Sequence, residues 1–208
     1  MKPHVLVCRL DSDGDVLLSG PAVRAVQAGA GKVTLLCGPR GRAAAELLPG
    51  VDEIVEFRCP WIEPEPEAVL GDEVLALADQ LRQRAIDQAI VLTSFHQSPL
   101  PTALLLRLAG IPMIAAISED YPGSLLDVRH LVPGDVHEVE RSLSLVATLG
   151  YHLPAGDDAS LRVHAAAQPS PVPNDHEPFV VVHPGASVPA RALAPELNAA
   201  LVDALVAA

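Results

Sequence analysis

The chain has 208 residues, of which 50% are hydrophobic, 19% are charged and 3% are aromatic. This composition excludes a disordered polar chain and predicts a core of aliphatic side chains. Fourteen Lys and Arg residues stand against 26 Asp and Glu, giving a formal net charge of −12. Such a charge disfavours nucleic acid or an anionic membrane surface as the main partner, because both require cations.

Short apolar runs alternate with segments of helical periodicity along the first part of the chain. The predicted strands span residues 4–10, 32–37, 53–57, 87–93 and 112–117. The predicted helices span residues 16–28, 40–48, 72–84, 101–109 and 138–149. Strands separated by helices indicate βαβ crossovers, so we predict an α/β fold with a Rossmann-like, doubly wound parallel sheet.

The composition changes after this alternating part, which predicts three regions. Residues 1–152 form the Rossmann-like domain, and residues 153–178 are rich in proline and read as a linker. Residues 179–208 contain one predicted strand, 179–183, and one predicted helix, 196–207. One β-α unit cannot bury its own apolar faces. We therefore expect it either to dock on the first domain or to begin an incomplete second domain.

The first predicted strand leads into Asp11-Ser12-Asp13-Gly14-Asp15, directly before a predicted helix. In open α/β sheets, ligands bind beyond the carboxyl ends of the strands, so this loop is a candidate site. An acid at the start of a helix is equally typical of an N-cap, and position alone leaves both interpretations open. The order of acids and glycine departs from that of a calcium-binding EF-hand loop, and no metal site is predicted.

Three cysteines, Cys8, Cys37 and Cys59, form no Cys-x-x-Cys pair, and we expect them to be buried, reduced thiols. No apolar run reaches 18 residues, and the first residues lack the features of a signal peptide. These observations predict a cytoplasmic protein without stable membrane insertion.

Three of the eight histidines lie near predicted strand ends or helix starts. His96 follows the fourth strand and is a weak candidate for contacting an acceptor. His137, together with Glu138 and Arg141, lies at a helix start and is expected to be exposed. His183 ends the strand predicted at 179–183 and adjoins a second strand-to-loop site.

The stretch LVCRLDSDGDVLLSGPAVRAV, residues 6–26, resembles the N-terminal signature of glycosyltransferase family nine, the lipopolysaccharide heptosyltransferase-like enzymes. That signature is a strand, then Arg-Leu-Asp-x-x-Gly-Asp-Val-Leu-Leu, then a helix start containing proline. Two further stretches are similar to family segments in the same order, HEVERSLSLVATLG at 137–150 and VVVHPGASVPARALAP at 180–195. The three motifs span the chain but correspond to the first half to two-thirds of a typical member.

The resemblance implies a GT-B enzyme, in which the N-terminal domain takes the acceptor and the C-terminal domain holds most of the nucleotide-sugar donor. It implies an inverting transfer to a glycan or lipid-linked acceptor, without a metal or other cofactor, and an ADP-sugar is the expected co-substrate. Asp15 matches the general base of the family. The positions that match substrate or donor binding are Ser12, Asp13, Gly14, Gly185, Ser187 and Arg191. One departure is Ala194-Pro195, where family members usually have Trp-Pro.

The resemblance also implies a role in lipopolysaccharide and cell-envelope biosynthesis, in the cytoplasm or peripherally at the inner face of the membrane. Because the residues that grip the nucleotide would follow Ala208, we expect the chain to be incomplete as an enzyme. One alternative is a truncated, non-catalytic α/β domain that acts in binding or interaction. A receiver-like domain is a further alternative, but it needs a lysine near the last strand, and the lysines here are Lys2 and Lys32.

Overall fold

The computed structural model describes residues 1–164, 179–186 and 192–207. Contacts divide the chain into two units, Met1–Ala165 and Ala166–Ala208. The strands of the first unit are β1 His4–Arg9, β2 Lys32–Cys37, β3 Glu53–Glu56, β4 Gln88–Val91, β5 Met113–Ile117 and β6 Val128–His130. The helices are α1 Asp13–Leu18, α2 Gly20–Gly29, α3 Arg42–Leu47, α4 Gly71–Arg82, α5 Leu100–Leu108, α6 Glu138–Ala147 and, in the second unit, α7 Pro195–Val206.

The six strands form one parallel sheet in the order β3-β2-β1-β4-β5-β6. Val7 at the centre of β1 is in register with Leu35 of β2 and with Ile90 of β4. The order along the sheet reverses direction between β1 and β4, and this switch point is where open α/β sheets bind ligands. The predicted Rossmann-like parallel sheet is therefore confirmed.

Successive residues of each central strand point to opposite faces of the sheet, and the residues on both faces are apolar. Helices therefore cover both faces. Val5 and Val7 of β1 join a buried cluster with α2 and α6. Leu6 and Cys8 join the cluster on the opposite face, with α4 and α5. The strands are apolar at nearly every position for this reason. Ile54 is half-buried, because β3 lies at the edge of the sheet.

Three details of the first unit differ from the sequence prediction. Strand β6 was not predicted, because it has three residues and carries Arg129 at its centre. The helix predicted at 16–28 is two helices, and Ser19 lies between them with its hydroxyl donating to the Val16 carbonyl at 2.6 Å. The segment predicted at 40–48 begins with a 3-10 turn, Pro39–Gly41, before α3. The three cysteines are buried and unpaired, as expected.

Part of the segment predicted as a linker packs on the first unit. The Arg24 guanidinium donates to both carboxylate oxygens of Asp157, at 2.8 and 2.9 Å, and to the Ser160 carbonyl at 2.9 Å. The His164 backbone N–H donates to the Leu47 carbonyl at 2.8 Å. These bonds hold residues 157–164 against α2 and α3, and the remaining predicted linker residues, 165–178, lie outside the described residues.

The described part of the second unit contains one regular element, α7. Residues 179–186 carry no strand, so the strand predicted at 179–183 is wrong for the described residues. A strand needs a neighbour for its backbone hydrogen bonds, and the described part of this unit offers none. Phe179, Val180 and Val181 are accordingly exposed. Among the described residues of both units, no helix combines the length and apolarity required to cross a bilayer.

Candidate functional site

The site lies at the carboxyl ends of β1 and β4, on either side of the switch point. Asp11 and Ser12 follow β1, residues 13–15 form the first turn of α1, and Ser94 follows β4. The Gln97 side chain joins the two loops, because its amide donates to one Asp11 carboxylate oxygen while its carbonyl oxygen accepts the Ser94 N–H at 3.1 Å. The sheet topology thus brings together polar residues that are more than 80 positions apart in sequence.

A buried arginine organises the site. The Arg9 side chain is 1% exposed, and its two terminal nitrogens donate to the Glu138 carboxylate at 2.8 Å and the Asp15 carboxylate at 3.1 Å. The second of these nitrogens also donates to the Ser94 hydroxyl at 2.9 Å. The Nε atom lies 2.9 Å from an oxygen of Asp11. One cation therefore faces three carboxylates, and the cluster carries a formal charge of −2 when all of them are ionised.

The environments of Asp11 and Asp15 move their pKa values in opposite directions. Burial raises the pKa of Asp11 above its ordinary value, despite the Arg9 charge and the bond from Gln97. Burial also raises the pKa of Asp15, but the bonds from Ser12 and the Arg9 charge together outweigh it, and the net pKa is lowered. Asp15 is therefore an ionised carboxylate at neutral pH.

Asp15 is held at both oxygens and still reaches solvent. One oxygen accepts the Arg9 bond, and the other accepts the Ser12 backbone N–H at 3.2 Å and the Ser12 hydroxyl at 2.7 Å. Its side chain remains 31% exposed. A carboxylate has about four acceptor positions, so a further proton donor can be accommodated. Asp15 therefore has the fixed, ionised and accessible carboxylate that a general base requires.

The other residues predicted in this loop have distinct positions. One oxygen of the exposed Asp13 accepts the Ala44 N–H at 3.1 Å, so Asp13 ties α3 to the loop. Ser12 bonds to Asp15, as described above. Gly14 is exposed, and a side chain at that position would meet no atom within 4 Å. Space beside Gly14 is thus open to a ligand from the solvent side.

The start of α6 contributes to the same site. His137 is exposed as predicted, and its Nδ1 accepts the Val139 N–H at 3.2 Å, which caps the helix. Glu138 is half-buried, and its carboxylate accepts a hydrogen bond from Arg9. The sequence alone did not predict this contact. The residues before the linker are therefore bonded directly to the end of β1.

A cleft of about 220 Å³ lies beside the Arg9 cluster, between the loops that follow β4 and β5. The first loop lines it with Phe95, His96 and Gln97, the second with Glu119 and Asp120, and α6 with Arg141. His96, the weak acceptor-site candidate, therefore does lie at this edge. The Arg141 guanidinium carbon lies 5.9 Å from the centre of the Phe95 ring, within the range of a cation–π contact.

The residues predicted in the second loop belong to the second unit. Gly185 is exposed in the described segment 179–186, as is His183. Ser187 and Arg191 lie outside the described residues. Their predicted roles at the donor remain predictions.

Several site residues were missed from the sequence, namely Arg9, Asp11, Ser94, Gln97, Glu138 and Arg141 in a site role. Arg9 offered a signal, since a charged residue inside an otherwise apolar strand requires a buried partner. Asp11 lies in the loop that the sequence indicated as a candidate site. The other four offered no signal for a site role, because their side chains meet only through the sheet topology. Within the described ranges, no group of three or more His, Cys, Asp and Glu side chains is arranged as a metal site.

Solved structures with a similar fold include glycosyltransferases. No family model matches the sequence, and no curated protein matches it either. The Veillonella parvula glycosyl transferase of family 9 is 16% identical, with a TM-score of 0.59, over 76% of this chain and 43% of that one. Escherichia coli ADP-heptose lipopolysaccharide heptosyltransferase II is 26% identical, with a TM-score of 0.54, over 70% of this chain and 40% of that one.

A third structure, Escherichia coli heptosyltransferase WaaC with ADP-2-deoxy-2-fluoro heptose, is 24% identical, with a TM-score of 0.58. The match covers 76% of this chain and 52% of that one. The chain thus spans 40% to 52% of the length of these three proteins. Its six-stranded parallel sheet with flanking helices is a Rossmann-like fold similar to that of the GT-B heptosyltransferases, and the chain is structurally similar to glycosyltransferase family 9.

Proposed function

We propose that this chain is the acceptor-side part of an inverting, heptosyltransferase-like glycosyltransferase. It would pass a sugar from a nucleotide-sugar donor, an ADP-sugar in the expected case, to a glycan or lipid-linked acceptor. The observation that carries the proposal is the Asp15 carboxylate, which is ionised, half-exposed and fixed by Arg9 and Ser12 at the switch point of the sheet.

In the proposed reaction, an acceptor hydroxyl attacks the anomeric carbon of the donor from the face opposite the leaving nucleoside diphosphate. Asp15 takes the hydroxyl proton as the new C–O bond forms and the bond to the diphosphate breaks. The Arg9 and Ser12 bonds orient the carboxylate before the substrate arrives, so little ordering is required during the reaction. Gly185, Ser187 and Arg191 would meet the leaving diphosphate, whose negative charge a cation stabilises.

The test uses the full-length protein with a panel of nucleoside diphosphate sugars that includes ADP-sugars, and measures release of the nucleoside diphosphate. Asp15→Asn should lower kcat by ~10²–10⁴, the usual effect of losing a general base. Asp13→Asn is the matched control, since the asparagine oxygen can still accept the Ala44 N–H. Donor binding should change little in Asp15→Asn, because the donor is expected to be held mainly by the C-terminal domain.

The competing interpretation is that Asp15 only caps α1. Replacement by asparagine would then lower stability by about 1 kcal/mol or less and leave turnover per folded molecule unchanged. Equal, small changes in kcat for Asp13→Asn and Asp15→Asn, with both variants folded, would remove Asp15 from the catalytic role. A non-catalytic binding domain would show no sugar transfer with any donor of the panel.

A further inference from the structure

We propose that the cleft between the loops after β4 and β5 binds an uncharged sugar ring of the acceptor, and that its charges select against a phosphorylated one. This inference rests on the proposed function and adds the chemical class of the acceptor. The cleft volume of about 220 Å³ is below the ~300–1,000 Å³ of pockets for drug-sized ligands and suits a single ring.

Both loops that line the cleft are fixed in place. The Gln97 backbone N–H donates to the Ser94 carbonyl, the Ser94 N–H donates to the Gln97 side-chain oxygen, and the Gln97 amide donates to Asp11. On the other side, Arg129 donates to the carbonyls of Ser118 and Glu119. A preformed site loses less conformational entropy when a ligand binds, which favours weakly held ligands such as sugars.

An aromatic face and polar groups occur together in the cleft. Phe95 is 64% exposed, in a chain with only six aromatic residues, three of them Phe. An exposed aromatic ring costs solubility, but it offers a flat apolar surface to the C–H face of a sugar. Arg141 packs over the same ring and brings N–H donors, while Glu119 and Asp120 bring acceptors for hydroxyl groups. This combination matches the surface of a polyol ring.

The charges around the cleft argue against an anionic ligand. The charged side chains of the lining are one guanidinium, Arg141, against two carboxylates, Glu119 and Asp120, and His96 also lines the cleft. The Arg129 guanidinium lies against the second loop, where it donates to the backbone carbonyls of Ser118 and Glu119. Burial and the Arg141 charge lower the pKa of the nearby His130, so His130 supplies no positive charge at neutral pH. The adjacent Arg9 cluster adds further net negative charge. A phosphate in the cleft would therefore face repulsion that an uncharged ring avoids.

The cleft is also connected to the proposed general base. Gln97 lines the cleft and donates to Asp11, which pairs with Arg9, which in turn holds Asp15. The cleft and Asp15 thus belong to one hydrogen-bonded network at the carboxyl edge of the sheet.

The experiment is an NMR titration of the full chain with the methyl α-glycosides of glucose, galactose and mannose, and with the 6-phosphates of the same glycosides. At least one uncharged glycoside should shift the Phe95 ring and Arg141 side-chain resonances. Its 6-phosphate should bind about tenfold more weakly at low ionic strength, and the difference should shrink with added salt. Phe95→Ala should weaken binding about fivefold to tenfold, and Arg141→Gln should weaken it as well.

Two control variants lie at the amino edge of the sheet, where α4 and α5 end. Leu108→Ala removes an exposed apolar side chain, and Arg82→Gln makes the same charge change as Arg141→Gln, and neither should alter binding. Tighter binding of the 6-phosphates would make the cleft an anion site and overturn the proposal. So would the absence of any shift at Phe95 and Arg141, or equal losses in Phe95→Ala and Leu108→Ala.

The same titration on Asp15→Asn separates this inference from the proposed function. If the inference holds, Asp15→Asn keeps glycoside binding while sugar transfer is lost. Transfer to a phosphorylated acceptor in preference to an uncharged one would leave the transferase function standing and refute the acceptor class.

Discussion

Replacing Arg9 by methionine should remove a large fraction of the free energy of unfolding of the first unit. Methionine fills much of the same space, but it leaves Asp11, Asp15 and Glu138 without their shared cation. Removing one partner of a buried ion pair costs ~3–5 kcal/mol. Asp15 and Glu138 keep 31% and 23% of their side chains exposed, so water screens part of their charge, whereas Asp11 is 7% exposed. We therefore expect a loss of about 3 kcal/mol, against a typical total of ~5–15 kcal/mol.

The loss should depend on pH in a defined direction. Without Arg9, the guanidinium charge no longer opposes the effect of burial on Asp11 and Asp15, so the folded-state pKa values of both rise relative to wild type, and that of Asp11 lies further above its unfolded value of ~4. Protonation then stabilises the folded variant, and this contribution is present below pH ~4 and disappears as pH rises through the raised values. The stability difference between wild type and Arg9→Met should accordingly be small near pH ~4 and widest near neutral pH.

Urea unfolding followed by the fluorescence of Trp61, the single tryptophan, measures this difference. Trp61 donates to the Thr102 hydroxyl at 3.0 Å inside the first unit, so its emission reports that unit. Adding Glu138→Gln to Arg9→Met should recover part of the loss, because one unpaired charge is removed. A loss below about 1 kcal/mol at neutral pH, or a loss independent of pH, would refute the reasoning.

Two further predictions concern the supports of the site. In Gly38→Ala, the new Cβ would lie 2.6 Å from the Leu10 carbonyl oxygen, a backbone atom that cannot step aside, so thermal unfolding should show a loss of ~1–3 kcal/mol. The bonds from Arg24 are the main cause that lowers the pKa of Asp157 to about 2. The ionised Asp157 should therefore stabilise the fold above pH ~4, the unfolded pKa, and this stabilisation should be lost as pH falls toward 2. Unfolding measured across this range should show the stabilities of wild type and Asp157→Asn converging near pH 2.

The fold was largely predictable from sequence because its main determinants are local. Continuous apolar runs such as residues 32–37 indicate a strand buried on both faces, and their alternation with helices indicates a parallel sheet. Strand β6 was not predicted, because three residues are too few to show an alternating pattern and its pairing with β5 depends on the tertiary structure. The strand predicted at 179–183 is not formed, although its residues favour a strand, because such a run becomes a strand only beside a partner strand.

The site was predictable only as far as the loop after β1. Asp15 stood out by position and by resemblance, but its chemistry depends on Arg9, Ser94 and Glu138. Ser94 is 85 positions from Arg9 and Glu138 is 129, and no spacing rule connects them. Such contacts follow from strand order and helix placement, which had to be known before the side chains could be brought together.

The two interpretations of Asp15 that the sequence left open, helix cap and general base, are compatible in the structure. Asp15 lies in the first turn of α1, and its carboxylate accepts the backbone N–H of Ser12, the N-cap residue, as in a capping box. The same bond, with those from the Ser12 hydroxyl and Arg9, keeps the carboxylate ionised and oriented. In the proposed reaction, a carboxylate held in this way would lose little ordering entropy on acceptor binding, and its 31% exposure leaves a free acceptor position. The capping geometry therefore does not compete with a catalytic role; it supplies the rigidity that such a role requires.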